Sequence, residues 1–109
     1  MKKAGAGGIC LIVFICCAAV ACGQKPADIF GGEILFKRHC QACHPAGKNV
    51  INPAKTLYAQ DLKKNNRETP EAIVSIIRKA PAGMTSFNEK VISDKDAAAI
   101  ARYILQTFK

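Results

Sequence analysis

The chain has 109 residues, a formal net charge of +8 and six cysteines, and a chain of this length forms one domain at most. Its lysines and arginines are spread along the sequence, so the clustered basic patch of a nucleic-acid-binding protein is not indicated. No nucleophile–base pair or pair of carboxylates stands out, which argues against a catalyst of group transfer or hydrolysis. The positive charge instead favours docking on acidic patches of a partner protein, chiefly by steering the encounter.

The first 21 residues are predicted to be a signal peptide. Lys2 and Lys3 give a basic start, residues 9–20 are an apolar run, and residues 19–21 are small residues at a cleavage site. An uncleaved membrane anchor is the alternative, but the run is shorter than the roughly 20 apolar residues of a spanning helix. Removal of residues 1–21 takes two lysines and no acidic residue, so the net charge falls from +8 to +6.

Cys22 follows these small residues as the lipid-modified cysteine does in a bacterial lipobox, although Ala19 replaces the usual leucine. An ordinary cut would leave a free thiol at the first residue of an exported protein. We therefore expect Cys22 to be lipidated, residues 22–27 to form a tether, and residues 28–109 to form the folded domain. Gly23 lacks the aspartate that marks inner-membrane retention in some bacteria, which slightly favours the outer membrane, on the periplasmic side.

The segment Cys40-Gln41-Ala42-Cys43-His44 is a C-x-x-C-H motif, the attachment signature of c-type haem. Two cysteines three positions apart lie on roughly one face of a helical turn, so both sulfurs can reach the two vinyl groups of one porphyrin edge. The adjacent His44 then falls under the iron and supplies the proximal nitrogen. The motif predicts one covalent haem c, held by Cys40 and Cys43.

Three other interpretations of the cysteine pair are weaker. A disulfide or thioredoxin-like redox pair needs a strand–helix–strand setting, and no segment alternates like a strand. A zinc site needs four ligands in a closed shell, and adjacent residues cannot close one tetrahedron around an ion. A chance occurrence is rare in an exported chain that keeps no other cysteine for its domain.

Met84 is predicted to be the sixth ligand of the iron, opposite His44. After removal of the signal peptide it is the only methionine, and it lies in a glycine- and proline-containing loop where a core methionine would be unusual. A thioether ligand raises the haem potential relative to a second histidine. His39 is the rival, but it directly precedes Cys40 and is therefore tied to the proximal side.

The rest of the sequence predicts helices joined by loops. Residues 32–39 end a first helix, residues 45–53 form a loop, and residues 57–64 can form a short helix. Thr69 and Ser93 are capping residues at the starts of two further helices. The predicted apolar faces are Ile73, Ile76, Ile77 and Ala80 in one helix and Ala97, Ile100, Tyr103, Ile104 and Phe108 in the last. The predicted class is all-α, with a haem completing a core that the helices cannot build alone.

The pattern over residues 32–105 resembles class I cytochromes c, and among them the small photosynthetic carriers of the cytochrome c6 type and their bacterial lipoprotein relatives. The resemblance is carried by the haem motif, Gly32, Phe36, the loop residues Gly47, Asn49, Pro53, Lys55, Thr56 and Leu57, and Met84 with Phe87. It implies the small class I fold, with helices wrapped round one haem.

The resemblance also implies roles for particular residues. Gly32 would let the last helix cross closely and pack Tyr103. A backbone carbonyl near Pro53 would accept a hydrogen bond from His44 and orient its ring. Phe87 would pack against the haem.

Two positions depart from the photosynthetic carriers. Thr85 replaces the proline that usually follows the methionine ligand, which predicts a less rigid loop and a more easily displaced Met84–iron bond. Ile76 stands where those carriers have a glutamine near the haem, so we expect an apolar contact there and a lower potential. The resemblance therefore implies the chemistry and not a photosynthetic role.

The predicted function is electron transfer between redox partners outside the cytoplasm, by a haem iron that cycles between Fe(III) and Fe(II). With both axial positions filled, no small-molecule substrate is expected. Partners would meet the haem edge through lysines, with Lys48, Lys55, Lys63 and Lys64 as candidates. A ligand sensor or weak peroxide enzyme is one alternative, if the Met84 bond is labile. The other is an accessory lipoprotein that supports assembly of other redox proteins.

Overall fold

The computed structural model describes residues 26–109, so the predicted signal peptide, Cys22 and the start of the predicted tether lie outside the described residues. The described part contains four α-helices, α1 Pro26–His39, α2 Ala59–Lys64, α3 Pro70–Arg78 and α4 Asp94–Thr107, and one 3₁₀ turn, Pro45–Gly47. No strand occurs within residues 26–109. The all-α prediction is confirmed for this part of the chain.

Helices α3 and α4 begin where their capping residues predict. The Thr69 hydroxyl oxygen accepts a hydrogen bond from the backbone N–H of Ala72 at 3.2 Å, and the Ser93 hydroxyl oxygen accepts one from the N–H of Asp96 at 3.1 Å. Pro70 opens α3, at a position where the missing N–H costs nothing. Each cap satisfies a backbone donor that the helix leaves unpaired.

The short helix predicted over residues 57–64 starts slightly later, at Ala59. The segment before it is engaged elsewhere, because the N–H of Leu57 donates to the carbonyl of Gly47 at 2.7 Å and that of Ala59 to the carbonyl of Phe108 at 2.9 Å. Gly47 has φ +80, and a Cβ there would lie 2.6 Å from the Phe108 ring. Only glycine meets both conditions, so the loop after the haem motif and the end of the chain close on each other here.

Helices α1 and α4 cross at Gly32. A Cβ on Gly32 would collide with the carbonyl oxygen of Ala99 and lie 2.9 Å from the Cβ of Tyr103. Beside the crossing, the Phe36 ring centroid lies 5.3 Å from that of Tyr103 and 5.4 Å from that of Phe108. The close crossing that the family resemblance implied at Gly32 is therefore present.

The buried apolar side chains come from all four described helices, from the loop before α4 and from Phe108, directly after α4. They are Phe36, Leu62, Ile73, Ile77, Ile92, Ala97, Ile100, Ala101, Ile104 and Phe108. The predicted apolar face of α4 is buried except for Tyr103, which is half-buried, and Ala101 adds a position that the prediction did not include. This core forms one wall of the candidate site.

Candidate functional site

The C-x-x-C-H segment continues directly from the end of α1. The N–H of Cys40 donates to the carbonyl of Phe36 at 2.8 Å, and the N–H of His44 donates to the carbonyl of Cys40 at 2.9 Å. These helical turns bring Cys40 and His44 to the same side, both half-buried, while Cys43 is exposed. Both cysteines are free thiols, so either sulfur is chemically able to form a thioether.

Burial raises the pKa of the Cys40 thiol to about 11, and the neighbouring Cys43 adds a smaller upward shift. Desolvation penalises the thiolate because its charge loses contact with water. Cys40 is therefore a neutral thiol at neutral pH.

Two adjoining cavities meet at the haem motif, of about 220 Å³ and about 160 Å³. Six residues line both of them: Cys40, His44, Asn49, Lys55, Pro81 and Met84. The larger cavity extends to the apolar core and is lined there by Phe36, Ile73, Ile76, Ile77, Ile100 and Ile104. An apolar wall with a thiol, an imidazole and a thioether at its edge matches the surface and the linking atoms of a porphyrin. The residues present fit a haem c.

Met84 is carried by the loop over residues 79–93, between α3 and α4, and is half-buried. Its N–H donates to the carbonyl of Pro81 at 3.1 Å, and the preceding Gly83 has φ +89. A Cβ on Gly83 would lie 3.0 Å from the Ile51 side chain, so the two loops touch next to Met84. His44 and Met84 thus reach one pair of cavities from distant segments of the chain.

The backbone oxygen that lies on the His44 ring belongs to Lys48 and not to a residue near Pro53. His44 Nδ1 is 2.9 Å from the Lys48 carbonyl oxygen, and Pro53 is exposed and lines neither cavity. The expectation for Pro53 is therefore wrong in this structure. The physical reason is the turn between the two residues, where Ala46 with φ 51 and Gly47 with φ 80 fold the chain back toward the ring.

Asn49 is a site residue whose role the sequence did not reveal. Its Oδ1 accepts hydrogen bonds from the N–H groups of Ile51 at 3.0 Å and Asn52 at 2.9 Å, and its Nδ2 donates to the carbonyl of Lys55 at 2.9 Å. One side chain therefore shapes the whole loop after His44. The asparagine of the family-like loop was the available signal, but sequence alone does not give its partners.

A polar group in the lining of the larger cavity, Thr56 with Asp61, was also not predicted. The Thr56 hydroxyl donates to Asp61 Oδ2 at 2.5 Å, and the Thr56 N–H donates to the same oxygen at 3.2 Å. These bonds hold the pKa of the Asp61 carboxyl below its usual range, with the hydroxyl contact contributing most. Asn65 and Arg67 line the same cavity.

The other predicted residues are distributed unevenly around the site. Ile76 lines the larger cavity and Phe87 the smaller. His39 is half-buried, lines the smaller cavity, and packs edge-on against Phe87 with ring centroids 5.8 Å apart. Of the candidate docking lysines, Lys55 lines both cavities, while Lys48, Lys63 and Lys64 are exposed and line neither.

No helix between residues 26 and 109 has the length and apolar composition needed to cross a bilayer.

Comparison with known proteins identifies the relatives of the chain. A family model described as cytochrome c oxidase, cbb3-type, subunit III matches residues 27–104. The chain is 40% identical over 74 residues to cytochrome c6 of Microcystis aeruginosa, covering 68% of this chain and 90% of that protein. It is 37% identical over 101 residues to cytochrome c6 of Cyanidioschyzon merolae, covering 91% and 94%.

Solved structures agree with these sequence matches. The outer-membrane cytochrome OmcF of Geobacter sulfurreducens is similar with a TM-score of 0.70 and 36% identity, covering 72% of this chain and 99% of that one. Cytochrome c6 of the diatom Phaeodactylum tricornutum is similar with a TM-score of 0.68 and 34% identity, covering 72% and 92%.

Proposed function

Because the chain belongs to the class I cytochromes c, as a monohaem protein of the cytochrome c6 type that carries electrons and is not an enzyme, we propose that His44 and Met84 are its axial ligands and that it works outside the cytoplasm. The family carries one covalently bound haem c. In the proposed site, Cys40 and Cys43 form the two thioether bonds.

The observation that carries this proposal is the convergence of the donor atoms. Cys40, His44 and Met84 line the same two cavities although Met84 is far from the motif in sequence. The walls beside them are apolar, with Ile76 and Phe87 in contact with the cavity space. On the side of the larger cavity, buried apolar residues shield a bound group from water, which limits the reorganisation that each change of charge requires.

The haem supplies a single-electron couple when it is bound. The protein contributes the orientation of the ligands: the Lys48 carbonyl accepts from the His44 ring at 2.9 Å, and such a contact fixes the tautomer and makes the coordinating nitrogen more basic. With His44 and Met84 both bound to its iron, the haem would keep no open position for a substrate.

Redox proteins with acidic docking patches are the proposed partners. Lys55 is exposed and lines both cavities, and Lys48, Lys63 and Lys64 are also exposed. Such charges steer an encounter more than they strengthen the complex. Electron-exchange rates should therefore fall as ionic strength rises, and rates that rise with salt would contradict acidic patches.

Export and lipidation at Cys22 form the part of the proposal that concerns location. The support is the basic and apolar start, the small residues before Cys22, and the structural likeness to an outer-membrane cytochrome. Mass spectrometry of the mature protein should find residues 1–21 removed and an acylated Cys22. A Cys22→Ser chain should appear in the periplasmic fraction, and membrane retention of that variant would contradict the anchor.

The axial ligands are tested by absorption spectra of the exported protein, oxidised and reduced. We expect sharp reduced haem bands together with the weak band, at the red edge of the visible spectrum, that marks methionine on ferric iron. Met84→Ala should abolish that weak band, and His39→Ala should retain it. Haem bands without the methionine band would contradict Met84 ligation and favour a ligand sensor or peroxide enzyme, in which carbon monoxide or cyanide binds readily.

A further inference from the structure

Arg78, the last residue of α3, reaches across the loop that carries Met84. Its Nη1 donates to two backbone carbonyls, that of Phe87 at 3.1 Å and that of Ile92 at 2.9 Å. Its Nη2 donates to Asp94 Oδ1 at 2.6 Å, at the start of α4. One guanidinium therefore joins the end of α3, two points of the loop and the beginning of α4.

The Arg78 contacts complete a short series of attachments at the base of the loop. The N–H of Phe87 donates to the carbonyl of Ile77 at 2.8 Å, so Phe87 is held on its N–H and on its carbonyl by consecutive residues of α3. Nearer the ligand, the Ser86 hydroxyl oxygen accepts from the N–H of Ala80 at 3.0 Å. The segment that carries Met84 is therefore held at both of its ends by hydrogen bonds.

The Arg78 side chain is placed to matter energetically. It is 20% exposed, whereas its partner Asp94 is 73% exposed. A surface ion pair of that kind contributes little, but hydrogen bonds from a charged, partly buried donor to backbone carbonyls are among the stronger ones. The carbonyl contacts, more than the ion pair, are expected to hold the loop.

We propose that Arg78 is a positioning residue for electron transfer, which keeps the Met84 loop closed and so controls how readily the thioether leaves the iron. The proposal rests on the proposed ligation by Met84. It also accounts for how a loop with Thr85, and not proline, after the ligand can still present a fixed sulfur: the rigidity comes from the base of the loop and not from the residue beside the ligand.

Cyanide binding to the ferric haem protein tests this role, because cyanide enters only when Met84 is detached. The apparent dissociation constant of cyanide then equals its intrinsic dissociation constant divided by the fraction of molecules in which Met84 is detached. Arg78→Gln should bind cyanide about tenfold more tightly than the natural chain, since losing a charge-assisted hydrogen bond shifts such an equilibrium by roughly that factor. Thermal unfolding of the same samples separates loop opening from loss of fold.

Three further variants sharpen the comparison. Lys95→Gln removes the same charge at an exposed position next to Asp94 and should bind cyanide as the natural chain does. Asp94→Asn removes the ion pair and keeps both carbonyl contacts, so its change should stay below about threefold. Arg78→Lys keeps the charge without the fork of donors and should fall between Asp94→Asn and Arg78→Gln.

The outcomes distinguish the two proposals. If the natural chain lacks the methionine band, Met84 ligation fails and the role of Arg78 fails with it. If the band is present and Arg78→Gln binds cyanide no more tightly than Lys95→Gln, only the role of Arg78 is overturned. Should Arg78→Gln fail to fold with haem, Arg78→Lys decides: cyanide affinity equal to that of the natural chain overturns the proposal, and a higher affinity supports it.

Discussion

On the His44 side of the site, residues 40–57 are joined mostly to each other, whereas on the Met84 side the loop over residues 79–93 is joined partly to itself and partly, at its base, to α3. His44 is held through its own turn and the Lys48 carbonyl, only four positions away. Met84 depends on Arg78 and other contacts at the base of its loop.

This difference has a physical consequence. Short-range hydrogen bonds form with little loss of chain entropy, and the thioethers proposed at Cys40 and Cys43 would add a covalent hold on the same side. Hydrogen bonds that close a longer loop are fewer, so each of them contributes a larger share of the loop's stability. Single substitutions should therefore disturb the methionine side more easily, unless they remove the covalent attachment itself.

The largest effect is expected from removing both attachment points. The double variant Cys40→Ala, Cys43→Ala should lose covalent haem entirely and fail to complete its core, since the site cavity opens into the buried isoleucines. Haem staining after denaturing electrophoresis measures the attachment. Cys43→Ala alone keeps the half-buried Cys40 and should retain one thioether. Haem that survives denaturation in the double variant would show that attachment lies elsewhere.

The second-largest effect is expected at the crossing of α1 and α4, since α1 leads directly into the segment with His44. Gly32→Ala should destabilise the haem-loaded protein by about 3 kcal/mol, because the new methyl group collides with the α4 backbone at Ala99. The control is the neighbouring Gly31, where a Cβ would meet nothing within 4 Å. Gly31→Ala should instead stabilise α1 by about 0.5–1 kcal/mol. Denaturant unfolding decides, and equal effects of the two substitutions would contradict a close crossing at Gly32.

The predictability of each feature from sequence follows the range of the interactions that create it. The caps at Thr69 and Ser93 act within three residues, and the motif brings Cys40 and His44 together within one turn, so sequence predicts them. The sequence could not show that the Lys48 carbonyl accepts from the His44 ring. That contact depends on a positive φ at Ala46, and an alanine does not indicate such a φ.

Longer-range features divide in the same way. The crossing at Gly32 was reached only through the family resemblance, since nothing local marks a glycine as a contact point. The three contacts of Arg78 depend on where a long loop and α4 lie in the folded chain, so the sequence did not reveal them.

The third prediction tests the hydrogen bond from the Ala80 N–H to the Ser86 hydroxyl, which also helps to close the Met84 loop. Ser86→Ala removes the acceptor of the Ala80 N–H, which costs about 1 kcal/mol in loop closure, or about a fivefold gain in apparent cyanide affinity. Ser75→Ala, at an exposed position of α3, is the control and should leave cyanide binding unchanged. If Ser86→Ala binds cyanide no more tightly than Ser75→Ala, the Ser86 hydrogen bond does not help to close the loop, and closure depends on Arg78.

The smallest effect is expected at Thr56 in the lining of the larger cavity, where its short contact lowers the pKa of Asp61. A carboxyl whose pKa is lower in the folded state contributes stability above its unfolded pKa and loses it as pH falls through the folded value. Thr56→Val should therefore raise the Asp61 pKa toward its usual range. The natural chain should be the more stable of the two at neutral pH, by a margin that shrinks in acid.

An NMR titration of the reduced protein can follow the Asp61 carboxyl directly, with unfolding measured at neutral and acidic pH. Thr56→Ser, which keeps the hydroxyl donor, is the control and should leave the pKa of Asp61 lowered. A margin that instead grows in acid would mean that the hydroxyl contact favours the protonated carboxyl. This contact joins residues five positions apart, so it belongs with the locally built side of the site. Its loss should leave cyanide affinity unchanged, in contrast to any substitution that loosens the Met84 loop.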